Sequence, residues 1–326
     1  MKRAWICLLL AALLLLPACG AHSPEEEQLI RVGFSQVGSE SDWRIANTAS
    51  MVGALSEAEG YELLFDNAKQ RQENQLLAIR NFVQQDVDYI VLAPIAESGW
   101  EDVLQEAKNA GIPVIIVDRQ IDVADESLYT SWVGSDFLAE GRRAIRWLEE
   151  ELAAQGREQE PLRILHIQGT YGATAQLLRT RALLEAVEAH PNWEIVAQLP
   201  GEYTEAKSYE LMRDFLQSGQ EIDVIYSEND NMSFGALQAL EEAGIPCGGE
   251  GELMILSFDA VRRALELCQA GKISLCVECN PLHGPRVETL LRQLERGETP
   301  AKQTFVDEVA FDRETLTDEV IRGREY

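Results

Sequence analysis

The stretch VDYIVLAPIAESGWEDVLQEAKNAGIPVIIVDR, residues 87–119, decides the fold. Its two apolar runs, VDYIVLAP (87–94) and IPVIIVDR (112–119), flank a segment from about Gly99 to Ala110 with apolar residues at helical spacing. A strand that is apolar at almost every position is covered on both faces, because alternate side chains point to opposite sides. Strand, helix and second buried strand therefore predict a right-handed βαβ unit and a parallel sheet.

Working outward, the same alternation extends both ways. IRVGFSQ (30–36) and YELLFDN (61–67) read as earlier strands, with helices over Trp43 to Glu59 and Gln70 to Gln84. SLYTSWVGSD (127–136) is a further strand feeding a long helix, Phe137 to Ala154, and GREQEP (156–161) marks a loop. The pattern then restarts with LRILHIQG (162–169), WEIVAQLP (193–200), EIDVIYSE (221–228) and ELMILSFD (252–259), separated by helices near 173–189, 204–217 and 230–243. KISLCVECNP, a helix from Pro285 to Arg296 and KQTFVDEVAF carry the chain back between the two units. The expected class is α/β, with two doubly wound parallel-sheet lobes joined by a multi-crossing hinge. Residues 29–133 plus 279–302 are expected to form the N-terminal lobe, and 134–278 plus 303–326 the C-terminal lobe.

The start of the chain sets the compartment. Lys2 and Arg3 precede an apolar run, Ala4 to Leu16, that is short for a membrane span. It ends in Leu16-Pro17-Ala18-Cys19, the pattern of a lipoprotein signal (residues 1–18) cut before a lipid-bearing Cys19. Residues 19–28, rich in small residues and glutamate, read as a lipid-anchored acidic spacer. Loss of the signal leaves 26 basic against 55 acidic side chains, a net charge of −29. Such a field repels nucleic acid and anionic lipid surfaces. Cys247, Cys268, Cys276 and Cys279 remain, in a setting that permits disulfides. Free buried thiols and a single disulfide both fit. The Cys276–Cys279 spacing lies in a strand running into a turn, without the helix start or second CxxC of a redox or zinc motif.

In open α/β sheets ligands bind beyond the carboxyl ends of the strands. Those ends here carry Glu40, Trp43 and Arg44; Asp118 and Arg119; Thr170, with Arg179 further along the following helix; Asn229 and Asp230; Asp259; and Glu278 on the return strand. Any one has a bland account: Asp230 as a helix cap, Asp118-Arg119 as an ion pair, Trp43 as core. Repetition over separate strand ends of two units favours a site. Carboxylates, amides and planar guanidinium forks suit the hydroxyls of a neutral ligand, and an indole face suits the C–H side of a sugar ring. Five acids against three arginines do not suit an anion.

These residues sit in stretches similar to the type I periplasmic binding proteins of bacterial ABC sugar importers, of the ribose/galactose group and nearest its galactofuranose branch. The stretches are VGFSQVGSESDWR (32–44), QENQLLAIRNFV (72–83), APIAESGWEDVLQEAK (93–108), IPVIIVDRQIDV (112–123), LHIQGTYGAT (165–174) and ENDNMSFGALQAL (228–240). The resemblance implies ligand contacts at Trp43, Arg44, Asp118, Arg119, Arg179, Asn229, Asp230 and Asp259, with Glu40, Thr170 and Glu278 as additions. It departs at Glu228, where the family usually has His before Asn-Asp, and at Asn231, usually Asp. What it implies is capture of a neutral monosaccharide by a monomer anchored outside the cytoplasmic membrane. The sugar would pass to an ABC permease and its ATPase, or its presence would be signalled to a sensor kinase. No cofactor or metal is expected. An enzyme of dinucleotide type would need G-x-G-x-x-G after strand one, and the turn has only Gly33 and Gly38. A sugar-responsive repressor would need a helix-turn-helix where the lipoprotein signal stands.

Overall fold

The computed structural model describes residues 29–248 and 253–326. The expected signal (1–18) and the expected spacer (19–28), Cys19 included, lie outside the described residues. The first unit runs β1 (Ile30–Gln36), α1 (Asp42–Ala54), β2 (Tyr61–Asn67), α2 (Gln72–Gln84), β3 (Tyr89–Leu92), α3 (Glu101–Asn109), β4 (Val114–Val117) and β5 (Ser131–Gly134). The second runs α4 (Phe137–Ala154), β6 (Leu162–Gln168), α5 (Thr174–Ala189), β7 (Trp193–Pro200), α6 (Glu205–Leu216), β8 (Val224–Ser227), α7 (Asp230–Glu242), β9 (Met254–Asp259), α8 (Arg262–Gln269) and β10 (Leu275–Glu278). The chain then forms α9 (Gly284–Glu295), β11 (Gln303–Phe305), β12 (Ala310–Phe311) and α10 (Asp318–Gly323).

The strands make two six-stranded sheets, ordered β11-β5-β4-β3-β1-β2 and β12-β10-β9-β8-β6-β7. Every pair is parallel except β10–β12. The βαβ reading of residues 87–119 holds, with β3 and β4 paired Ile90↔Val114 to Leu92↔Ile116. The physical basis is visible in the core. Val91, Ile115 and Val117 bury on one face, and Ile90, Leu92, Val114 and Ile116 on the other. Both faces need apolar residues, so alternation disappears from the sequence.

Two elements were not expected. α8 spans barely two turns, too few for its buried Ala264, Leu265 and Cys268 to establish a helical period. α10 is shorter still. The helix expected to run to Glu59 stops at Ala54, and Gly60 ends the following turn at a φ of 91°. The lobe boundary expected at 302/303 also moves. Gln303–Phe305 pairs with β5 in the first sheet, and the crossing comes between β11 and β12. Pairing with the exposed edge of β5 decides this, and that edge is invisible in local sequence. Three segments thus cross between the sheets: after β5, after β10 and after β11.

In each sheet the strand order reverses beside the first strand, between β1 and β3 and between β6 and β8. These are the switch points where such folds bind ligands. Cys268, Cys276 and Cys279 are buried thiols without a disulfide. Among the described residues no helix is long and apolar enough to cross a membrane.

Candidate functional site

A small cleft lies between the carboxyl ends of the two sheets, the place where folds of this kind bind ligands. The loop after β1 reaches it first. Ser41 caps α1, its Oγ accepting the Arg44 backbone N–H at 3.1 Å. The cap fixes the first turn, from which Trp43 and Arg44 both face the cleft.

Arg44 is buried and held on three sides. It donates to Glu40 Oε1 at 3.0 Å, to Gln36 Oε1 at 3.2 Å and to Asp118 Oδ2 at 2.7 Å. A guanidinium has five N–H groups, so two remain for a ligand. The Trp43 indole N–H donates to Cys279 O at 2.7 Å, across the second crossing. The ring joins a core cluster otherwise drawn from the second lobe and the crossings, alongside Phe137. Trp43 is therefore both core and cleft wall, and the opposition between those readings dissolves.

Asp118 follows β4 and Asp259 ends β9, which are equivalent strands of the two sheets. Both sit in left-handed backbone, at φ 66° and 110°. Non-glycine residues rarely adopt that conformation, and where they do it is usually a functional site that keeps it. Gly134 makes room for the first, since a Cβ there would lie 2.4 Å from Asp118 O. The two carboxyls are driven apart. Burial alone would raise Asp118, but the flanking Arg44 and Arg119 guanidinia hold it below the ordinary carboxylate range. Burial pushes Asp259 well above that range, against the pull of Arg179, and nearby Asp230 and Glu140 add to the rise. Asp118 is thus a fixed acceptor, whereas Asp259 can keep a proton and donate.

Arg119 donates to Ile95 O at 2.9 Å and stands 5.2 Å from the Tyr203 ring centroid. Arg179 donates to Glu140 Oε2 at 2.8 Å and to Glu228 O at 2.5 Å, over the Phe258 ring. Asn229 caps α7 through Met232 N and lines the cleft. Glu40, Trp43, Arg44, Asp118, Arg119, Arg179, Asn229 and Asp259 are thus brought together as expected from their strand ends.

Three expected members are elsewhere. Asp230 is fully buried beside the site, accepting from Ser257 Oγ at 2.5 Å and Val261 N at 2.8 Å. It ties α7 to the end of β9, and burial pushes its carboxyl up to about 7. Glu278 does not line the cleft and pairs with Arg324 at 2.5 Å and with Tyr326. Thr170 is half-buried in the turn before α5, where its carbonyl accepts from Ala173 N. Removing the two acids leaves three arginines facing three carboxyls in the cleft, a better match to a neutral ligand than the original five against three.

Tyr203, Phe137 and Cys279 line the cleft without having been expected. Tyr203 follows the end of β7, so the strand-end rule itself pointed to it. Gly169 admits its ring, since a Cβ there would lie 2.0 Å from it. Phe137 and Cys279 carry no polar signal and read as core. Two buried polar atoms in the cleft have no protein partner, Glu40 Oε2 and the Tyr203 hydroxyl. Orphans of this kind are rare and costly in a folded chain, and both lie where a ligand would supply the missing bond.

The cleft is closed by bonds across its lips. Glu97 N donates to Gly172 O at 3.1 Å, and Asp42 N to the Asn231 side chain at 3.0 Å. Gln120 N donates to Thr174 Oγ1 at 2.9 Å. Thr174→Val keeps the shape and removes this latch without touching the main hydrogen-bonding set. A neutral hydrogen bond contributes about 0.5–1.5 kcal/mol. Ligand affinity is expected to fall roughly 2- to 12-fold, mostly through faster release, in titration calorimetry and stopped-flow measurements. Unchanged release kinetics would show that the latch does not hold the closed form.

Two parallel-sheet lobes, three crossings and a polar cleft between them define a hinged solute-binding protein rather than an enzyme. The description "Periplasmic binding protein domain" matches residues 32–282, and the chain belongs to that family. Its location is accordingly extracytoplasmic. It is 37% identical to the galactofuranose-binding protein YtfQ of Escherichia coli over 89% of this chain and 90% of that one. A Mycobacterium smegmatis protein solved in complex with β-D-fucofuranose superposes with a TM-score of 0.82 at 40% identity, covering 87% of this chain and 92% of that one. The periplasmic binding component of the arabinose ABC transporter of Shewanella sp. ANA-3, bound to α- and β-L-arabinofuranose, gives 0.83 at 38% identity, over 90% and 95%.

Proposed function

We propose that the protein captures a neutral monosaccharide in furanose form, of galactofuranose or arabinofuranose type, and delivers it to an ABC permease and its ATPase. The observation that carries this reading is the mixed set of donors and acceptors that lines the cleft. Arg44, Arg119 and Arg179 face Glu40, Asp118 and Asp259, with unused donors and acceptors on both sides. Such a set matches hydroxyls, each of which donates and accepts. The furanose preference is supported by the relatives above, whose names or bound sugars are furanoses. Ligand stabilises the closed form because each lobe contributes part of the set. A Kd near 1 μM needs about −8 kcal/mol, within reach of several charge-assisted hydrogen bonds at roughly 1.5–3 kcal/mol each.

Thermal melting of the fragment from Ala21 onward, against a panel of pentoses, hexoses, polyols and sugar acids, tests the reading. A rise in Tm confined to sugars with a large furanose fraction is the expected result. A rise with sugar acids alone, or with none of the panel, would overturn it. We propose also that the chain acts as a monomer anchored through lipid on Cys19, with residues 19–28 as its spacer. Mass spectrometry of the mature N-terminal peptide checks the lipid, and an unmodified Cys19 would refute it.

A further inference from the structure

One side chain joins all three segments that cross between the lobes. Glu308, on the third crossing, accepts through Oε1 from Ser135 Oγ of the first at 2.6 Å and from Asn280 N of the second at 2.7 Å. Facing it are Glu140, in the first turn of α4, and Cys279. The three offer a carboxylate oxygen, a thiol sulfur and a carboxylate oxygen within 4.8 Å of one another. Glu140 is fully buried, and its Oε2 is taken by Arg179 at 2.8 and 2.7 Å. Its Oε1 has no partner. A bare buried carboxylate oxygen beside a second carboxylate is doubly unfavourable, through lost hydration and through like-charge repulsion.

One proton removes both costs. We propose that Glu140 and Glu308 share a single proton, the Glu308 carboxyl donating to Glu140 Oε1, and that this pair clasps the hinge to Arg179 and so to the ligand cleft. The remaining charged neighbours do not supply an alternative. Arg179, from α5, is committed to Glu140 Oε2 and Glu228 O, and Asp259, at the end of β9, brings no positive charge. Glu278, whose Oε2 accepts from Val309 N beside Glu308, is paired with Arg324. Burial, then the Glu140 and Glu308 charges, push the Cys279 thiol well up, so it keeps its proton and is a poor metal ligand. Burial first, and repulsion from Glu140 second, push Glu308 up to about 9.

A glutamate in an unfolded chain titrates near ~4.3. The folded state holds the extra proton above that value. The contribution is therefore fully present below about pH 4.3 and is lost progressively as pH rises toward 9. Glu308→Gln keeps both acceptor bonds and donates an amide N–H to Glu140 Oε1, with no proton to lose.

The test is thermal melting of the sugar-free protein from pH 5 to 9.5, with a metal chelator present and with zinc added in a parallel series. Glu308→Gln is expected to match the native chain at pH 5 and to melt higher above pH 8, by about 2 °C or more. Glu308→Ala, which strips Ser135 and Asn280 of their acceptor, is expected to melt lower throughout. A Glu308→Gln protein that melts lower at pH 8–9 would show an ionised Glu308 and overturn the proposal. Zinc that raises the Tm of the native chain but not of Glu308→Gln would make the cluster a cation site and overturn it equally. No sugar enters the measurement, so its outcome is independent of the ligand proposed above.

Discussion

Asp118→Ala is expected to abolish sugar binding in a protein that still melts cooperatively. The carboxylate acts twice in the cleft. It is a fixed acceptor for a ligand hydroxyl, and through the 2.7 Å bond to Arg44 it aims the guanidinium's free N–H groups. Losing the ligand's own bond costs about 1.5–3 kcal/mol, and a misdirected Arg44 weakens a second contact. Together these are worth a loss of at least about 100-fold in affinity, enough to hide binding in calorimetry at micromolar sugar. The fold survives because Arg44 keeps Glu40 at 3.0 Å and Gln36 at 3.2 Å, so its charge is not left bare. Unaltered affinity would remove Asp118 from the site. An unfolded variant would mean that Asp118 is structural first.

Arg179→Met has a larger effect, on stability as well as binding. The Arg179 side chain stands between Glu140 and Asp259 and also holds the Glu228 carbonyl. All of it is buried, and methionine packs comparably over Phe137 and Phe258, where the guanidinium now lies. What methionine lacks is the charge. Removing one partner of a buried pair costs about 3–5 kcal/mol, because the other is left uncompensated. The expected fall in Tm is on the order of 10 °C. Adding Glu140→Gln removes the stranded carboxylate and is expected to restore much of the loss, a coupling that a double-mutant cycle reads directly. Arg179→Met melting like the native chain would show that Glu140 is not ionised beside it.

The structure separates two kinds of residue that sequence alone had grouped. Asp118 and Asp230 both follow strands in an α/β pattern, and both are acidic. One lies across from Arg44 and faces the cleft; the other turns inward to Ser257 and Val261 N. Asp118 stands in left-handed backbone at φ 66°, whereas Asp230 opens α7, a difference at a strand end where no periodicity survives to be read. Tyr203 shows the converse. It lies just before an expected helix, and it becomes a cleft wall because Gly169, far away in the chain, leaves a gap its ring can fill.

Sequence by itself determined the α/β class, the two sheets, all but two of the helices and the strand ends from which the cleft is built. These follow from continuous apolar runs and helical spacing, which are local patterns imposed by burial on two faces or one. Family-like stretches such as GFSQVGSESDWR and VIIVDR were legible for the same reason: strand, turn and helix start are contiguous. Only the tertiary structure decided which polar residues meet. Arg44 reaches Asp118 at 2.7 Å, Trp43 reaches the Cys279 carbonyl, and Glu308 gathers three crossings. Each contact joins segments far apart in the chain, through the strand order within a sheet for the first and through the crossings between lobes for the others, which no local pattern encodes. Burial writes itself into sequence residue by residue, whereas the facing of two lobes is set once, by the hinge.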